Sequence, residues 1–191
     1  PFKGEVLTKM ASFWFEKFNS VIPNHLTHKN PLDFVNKSES DQIINRSIIA
    51  KKLNPIPIEV IVRGYIIGSG WKEYVLSNSI CGINLPTGLK LAEQLSSPIF
   101  TPSSKAEVGN QDENISLKEC ENLIGKELTS QLNLISLDLY KKAYEFAYNK
   151  GIIIADTKFE FGLDNLGKIH IIDEILTPDS SRFWPKESYQ L

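Results

Sequence analysis

Three observations predict an α+β fold for this chain, built as one large domain or as two small lobes. Long helical patterns at 5–18 and beyond Gly125 stand beside strand patterns at 46–68 and 152–175, so both element types build the fold. The 191 residues are 41% hydrophobic, enough for a real core. Pro55 and Pro57 flank Ile56, and two fixed backbone angles so close together mark the best place for a hinge between lobes.

The elements follow in order. Residues 5–18, "EVLTKMASFWFEKF", place Leu7, Met10, Ala11, Trp14 and Phe18 at the three-and-four spacing of one helix face. The polar, proline-bearing stretch 19–42 reads as loops with short strands, with His25 and His28 solvated. "RSIIAKKLN" and "PIEVIVRGYIIG" are rich in Ile and Val and bounded by Pro and Gly, which predicts two strands. A short helix follows Ser69 and Gly70, and residues 81–115 read as loop. Ser116 and Glu119 have the spacing of a capping box. Beyond Gly125 a long helix carries Leu128, Leu132, Ile135, Leu139, Ala143 and Phe146 as its buried stripe, and Gly151 stops it. Strands 152–163 and 168–175 close the chain as a hairpin around "DNLG", with the turn centred on Asn165 and Leu166.

Composition narrows the function classes. A net charge of -2 and a pI near 6.0 leave no electrostatic footprint for nucleic acid. Cys81 and Cys120 are too few for a disulfide framework and have no zinc-site spacing, which fits a reducing, cytoplasmic compartment. No apolar run approaches a membrane span, and no signal peptide is visible. The chain opens on proline rather than methionine, so a fragment or processed product is expected.

The charged residues gather in a few places. In "IIIADTKFEFG", Asp156, Lys158 and Glu160 alternate, so one strand face carries acid, base, acid. A hairpin centred on Asn165 and Leu166 sets Lys158 opposite Asp173 and Glu160 opposite Ile171, bringing Asp173 onto that face. Two carboxylates so close suit magnesium, which is held by one or two carboxylates with phosphates and waters. The plainer alternative is a solvated face with a cross-strand salt bridge. After Pro178, Asp179, Ser180, Ser181 and Arg182 offer an acid, two hydroxyls and a guanidinium, or simply a Pro-Asp-Ser turn. Glu59 and Arg63 share a face of the strand at 57–68, and Ser69 caps the next helix, whose free N–H groups suit an anion. Lys105, Glu107, Asp112 and Glu113 lie in a long loop, which is either a functional lid or a place where charges solvate.

These stretches also carry a resemblance. "KGEVLTKMASFWFEKF", "PIEVIVRGYIIGSGWKEY", "FTPSSKAEVGNQDENIS", "DTKFEFG" and "IIDEILTPDSSRFW" occur in the order found in the SAICAR synthetase family, and the chain resembles that family over nearly its whole length. The pairing of D-x-K-x-E-F-G with D-E-x-x-x-P-D-x-S-R-x-W is highly specific. The loop wording is closer to the longer, yeast form than to the short bacterial form.

The resemblance implies a two-lobe fold distantly like ATP-grasp and kinase lobes. Residues 1–55 would be the remainder of an N-terminal ATP-binding lobe, and 56–191 a C-terminal lobe with CAIR and magnesium sites. It implies a ligase that uses ATP and Mg2+ to join carboxyaminoimidazole ribonucleotide (CAIR) to L-aspartate through an acyl phosphate. Asp156 and Lys158 would be catalytic. Lys105, Glu160 and Asp173 would bind ATP, with Glu160 and Asp173 holding the metal. Glu59, Arg63, Ser69, Asp112, Asp179 and Arg182 would bind CAIR or aspartate, and Lys51 to Pro57 would be the adenine-side hinge. The family pattern also includes an N-terminal glycine-bearing strand region, a D-R-x-S-A-F-D segment and a continuation past "WPKESYQL", none of which is in this chain. Two other readings use the same residues. A small-molecule or protein kinase would need an H-R-D loop and a D-F-G, which are lacking. A non-catalytic nucleotide-binding module would need neither.

Overall fold

The computed structural model describes residues 2–105 and 113–191. The chain forms two units, Pro1–Pro55 with Glu160–Ser180 and Ile56–Phe159 with Ser181–Leu191. It first passes between them at Pro55–Ile56, inside the Pro-Ile-Pro stretch. A split at 55/56 has one crossing, whereas the chain makes further crossings after Phe159 and after Ser180.

In the first unit, α1 (Lys3–Lys17) buries Ala11, Trp14, Phe15 and, just past its end, Phe18. Leu7 and Met10, expected on that face, are only half-buried, and Phe15 takes the inner position. Stretch 19–42 forms short 3-10 turns and a one-turn helix α2 (Ser40–Ile43) instead of strands. "RSIIAKKLN" is likewise mostly unpaired, with one bridge from Leu26 to Ala50 and β1 reduced to Asn54–Pro55. A run of Ile and Leu forms a strand only where a partner edge is available.

His25 is buried rather than solvated. Its ring stands edge-on to Phe15, its Nδ1 lies 3.4 Å from the Ile171 carbonyl, and its own carbonyl accepts from Lys51 N–H at 2.7 Å. Burial pushes this ring below its ordinary pKa, against the Ile171 carbonyl and Asp173.

The second unit is built on β2 (Ile58–Tyr65). One neighbour is β7 (Ile152–Leu163), paired through residues up to Phe159. The other is β5 (Gln94–Ser104), which carries β6 (Glu113–Asn114) at its end. β9 (Ser181–Pro185) pairs the far side of β7. β5 replaces about a third of the expected loop, and a small hairpin of β3 (Ser79–Ile80) and β4 (Ile83–Asn84) forms at the start of that loop. Pro98 and Pro102 argue against a strand, yet over most of its length β5 pairs on one side only, where a missing N–H is tolerated.

α3 (Gly68–Ser77) follows β2, and α4 (Leu117–Ile124) opens on the expected box. There the Ser116 hydroxyl accepts from Glu119 N–H at 3.2 Å, and the Glu119 carboxylate accepts from Ser116 N–H at 2.7 Å. α5 (Lys126–Tyr148) lies against β2 and β5. It buries Leu132, Leu139 and Ala143 of the expected stripe, together with Thr129, Ser136, Tyr140 and Ala147. Both cysteines are buried thiols, and burial pushes Cys81 up to about 12.

Candidate active site

The β2–β7 register sets Arg63 opposite Asp156 and Ile61 opposite Lys158. Opposed residues in an antiparallel pair share a face, so the alternation places Glu59, Arg63, Asp156 and Lys158 on one side of this sheet. β5 adds Thr101 and Ser103, opposite Ile61 and Glu59, and β9 adds Arg182, opposite Asp156. The other side carries Val60, Val62, Thr157 and Phe159, all buried. Alternation thus divides an apolar face, against α5, from a polar one.

Arg63 is 1% exposed, so every donor of its guanidinium needs a partner. Its Nε donates to Thr101 Oγ1 at 3.0 Å, and its NH2 to Ser69 Oγ at 2.8 Å. NH1 is 3.3 Å from Asp156 Oδ2 and 3.4 Å from the Ile67 carbonyl. The same Asp156 oxygen accepts from Arg182, whose side chain is half exposed. Burial pushes the Asp156 carboxyl above its ordinary range, while Arg182 and then Arg63 pull it down. Desolvation lowers Arg63 in turn, against the attraction of Asp156. Lys158 donates to Glu59 Oε1 at 2.7 Å on the same face.

The start of α3 leans on both guanidiniums. A Cβ at Gly68, where φ is +61°, would come 2.7 Å from Arg182, and one at Gly70 would meet Arg63 at 3.0 Å. Only glycine lets the backbone approach so closely. Two guanidiniums, the Ser69 hydroxyl and the opening turn of a helix form a strong setting for a phosphate or carboxylate.

Glu160 and Asp173 lie in the first unit. β8 (Ile169–Ile172) pairs the end of β7 with Glu160 opposite Ile172, one residue from the expected register. The cause is the turn. Gly167 takes a left-handed φ of +77°, its N–H bonds the Asp164 carbonyl at 3.0 Å, and the Asp164 carboxylate accepts from Leu166 and Lys168 N–H. This is a three-residue loop, where a two-residue loop was expected. Lys158 therefore does not oppose Asp173, and Glu160 does not oppose Ile171. Asp173 itself is exposed, with a left-handed φ of 61°, which ends the strand and its alternation. It lines a cleft of about 370 Å3 with His25, Lys51, Lys52, Leu53 and Ile172.

Other expected residues separate. Asp179 is exposed in the first unit, 2.8 Å from Lys3 Nζ, and Ser180 turns inward to accept from Thr177 N–H. Arg182 stands in the second unit, so "DSSR" is not one cluster. Lys105 is exposed at the end of β5, and Asp112 lies outside the described residues, as does Glu107. Sequence reasoning missed Thr101, because its strand was read as loop. It also missed Asn114, which donates to Glu73 at 2.9 Å and whose Oδ1 accepts from Ser69 at 3.4 Å.

Comparison with known proteins decides the family. The SAICAR synthetase family model matches residues 1–190. This chain belongs to the SAICAR synthetase family. It is 57% identical over 190 residues to the phosphoribosylaminoimidazole-succinocarboxamide synthase of Methylobacillus flagellatus, covering 99% of this chain and 64% of that protein. Its fold superimposes with a TM-score of 0.91 on the SAICAR synthase of Saccharomyces cerevisiae complexed with SAICAR, at 44% identity over 100% of this chain and 65% of that one. A type-2 SAICAR synthetase in complex with ADP gives a TM-score of 0.78 at 25% identity, covering 99% of this chain and 70% of that one. The chain thus spans just under two thirds of the length of the bacterial and yeast relatives.

Proposed function

We propose that the protein carrying this chain is an ATP-dependent ligase that joins CAIR to L-aspartate, giving SAICAR, ADP and phosphate. The observation that carries the reading is the Arg63–Asp156–Arg182 cluster, two members of it buried, at the start of α3, in a chain of this family. A carboxylate does not accept an amine unaided, because its oxygen leaves poorly. Transfer of the γ-phosphoryl group to the CAIR carboxylate makes an acyl phosphate and ADP. The aspartate amine then attacks the acyl carbon, forming the amide bond and expelling phosphate. Positioning and charge neutralisation supply most of the rate.

In this reading Arg63, Ser69 and Arg182 hold the phosphate of CAIR, and Asp156 keeps the two guanidiniums oriented. Lys158, set by Glu59, neutralises the charge that develops on the reacting carboxylate. The family resemblance assigns Asp179 and Asp112 to substrate binding as well. The first unit, in this reading a lobe of the ATP-grasp and kinase kind, takes ATP in the cleft beside Lys51 to Leu53, and the family resemblance assigns Lys105 to nucleotide binding as well.

Magnesium would be held by Glu160 and Asp173. Among the described residues no group of three or more His, Cys, Asp or Glu could form a protein cage. A carboxylate pair is the donor set that suits an ion whose other ligands are phosphates and waters. When bound, the ion screens the charge of the ATP phosphates. We place the protein in the cytoplasm, with small molecules as its partners. Among the described residues no helix is long and apolar enough to cross a membrane.

The test uses the intact protein with ATP, magnesium, CAIR and aspartate, following ADP and the succinylated product together. Equal release of both, dependent on aspartate, is expected. ADP release that ignores aspartate would favour a kinase, and nucleotide binding without turnover a binding module. Glu160→Gln and Asp173→Asn abolish magnesium-dependent turnover with the fold intact. Wild-type rates in both variants would overturn the metal assignment.

A further inference from the structure

Tyr140 of α5 stands on the apolar side of the second unit's sheet, opposite the charged cluster, yet its hydroxyl reaches into the sheet itself. It donates to the Ile154 carbonyl at 2.6 Å and is fully involved there, with the ring 3% exposed. The position is where two ladders become irregular. The β2–β5 register slips between Arg63 and Tyr65, and the β7–β9 register slips between Ile154 and Asp156. The β2–β7 ladder also ends at Arg63 opposite Asp156, so Gly64 has no partner on β7.

A Cβ built on Gly64 would lie 2.0 Å from the Tyr140 hydroxyl. The hydroxyl therefore fills the space a side chain at 64 would need and supplies a donor to the neighbouring strand. The slip has a direct effect on aim. In a regular strand Arg63 and Tyr65 would share a face. Here Arg63 bonds Ser69 and Asp156, while Tyr65 bonds Tyr144 of α5 at 2.8 Å and packs with Ile153 and Ala155. The irregularity at Gly64 separates the polar face from the apolar one, and bulges that re-aim side chains beside a site are a known use of such defects.

We infer that Tyr140 is a positioning residue for the Arg63–Asp156 pair, acting from behind the sheet by bridging Gly64 and the Ile154 carbonyl. Removing the hydroxyl leaves a buried carbonyl without its donor, and the strand segments bearing Arg63 and Asp156 lose their common pin. This inference rests on the reading that Arg63 and Arg182 hold the phosphate of CAIR.

The experiment compares Tyr140→Phe, Gly64→Ala and a control, Tyr148→Phe, in the intact protein. Tyr140→Phe raises KM for CAIR about tenfold while kcat and the KM values for ATP and aspartate stay within twofold. Gly64→Ala, which displaces the hydroxyl, gives the same split, and Tyr148→Phe leaves all constants unchanged. A purely structural role would instead lower the active fraction, and so kcat, without singling out CAIR, and that result would overturn the inference. A second readout needs no substrate. Hydrogen exchange at Arg63 Nε, located by its loss in Arg63→Lys, speeds up at least tenfold in Tyr140→Phe. Unchanged exchange would also overturn the inference. If exchange speeds up but CAIR is not a substrate, the positioning role stands and the ligand assignment falls.

Discussion

Asp156 holds two guanidiniums with one carboxylate, and the three groups differ in their access to water. Arg63 and Asp156 are nearly sealed, at 1% and 3% side-chain exposure, while Arg182 keeps 48%. A buried pair of this kind contributes little net stability relative to apolar residues, because desolvation offsets the attraction. Breaking it is another matter. Asp156→Ala leaves Arg63 charged and unpaired in the interior, and a loss of about 3–5 kcal/mol in unfolding free energy is expected from urea titration. Arg63→Met combined with Asp156→Ala should lose less than the sum of the single changes. Additive losses would show that the two groups do not depend on each other.

Local chemistry decides some elements and not others. The box at the start of α4 was legible because both partners lie within four residues, and their mutual bonds need no tertiary support. Ser116→Ala should cost about 1 kcal/mol, measured from the urea midpoint, and Ser116→Asp should recover most of it. No change in either variant would mean that the helix end is held by packing alone. β5 was not legible, since two prolines and five hydroxyl residues hide a strand that exists because β2 offers it an edge. The closing hairpin was legible as a hairpin, but its register turned on the left-handed Gly167, which sequence does not reveal.

At the scale of the whole chain, the two units carry different sets of proposed residues, with the pair Glu160 and Asp173 in one and the arginine cluster in the other. The first unit also contains a pH-sensitive group. Burial lowers the folded pKa of His25, while the unfolded chain keeps an imidazole near its usual value of about 6.5. As pH falls below that value the unfolded chain takes up a proton first, so it binds more protons than the folded chain and stability drops. The contribution is constant above about pH 7 and declines toward pH 5. Urea midpoints measured across this range should fall more steeply for the native sequence than for His25→Gln. Parallel curves would assign the acid sensitivity to other groups.

By itself the sequence determined the long helices, the strand bearing Glu59 and Arg63, the hairpin, and the family through its motifs. These rest on local periodicity, on capping within one turn, or on residue identity. Only the tertiary structure decided which charges meet. Arg63 and Asp156 are 93 residues apart, and their pairing depends on strand register, on the irregularity at Gly64 and on Tyr140 behind them. Likewise "DSSR" reads as one cluster in sequence but divides between two units, because contiguous residues separate wherever the backbone leaves one core for another.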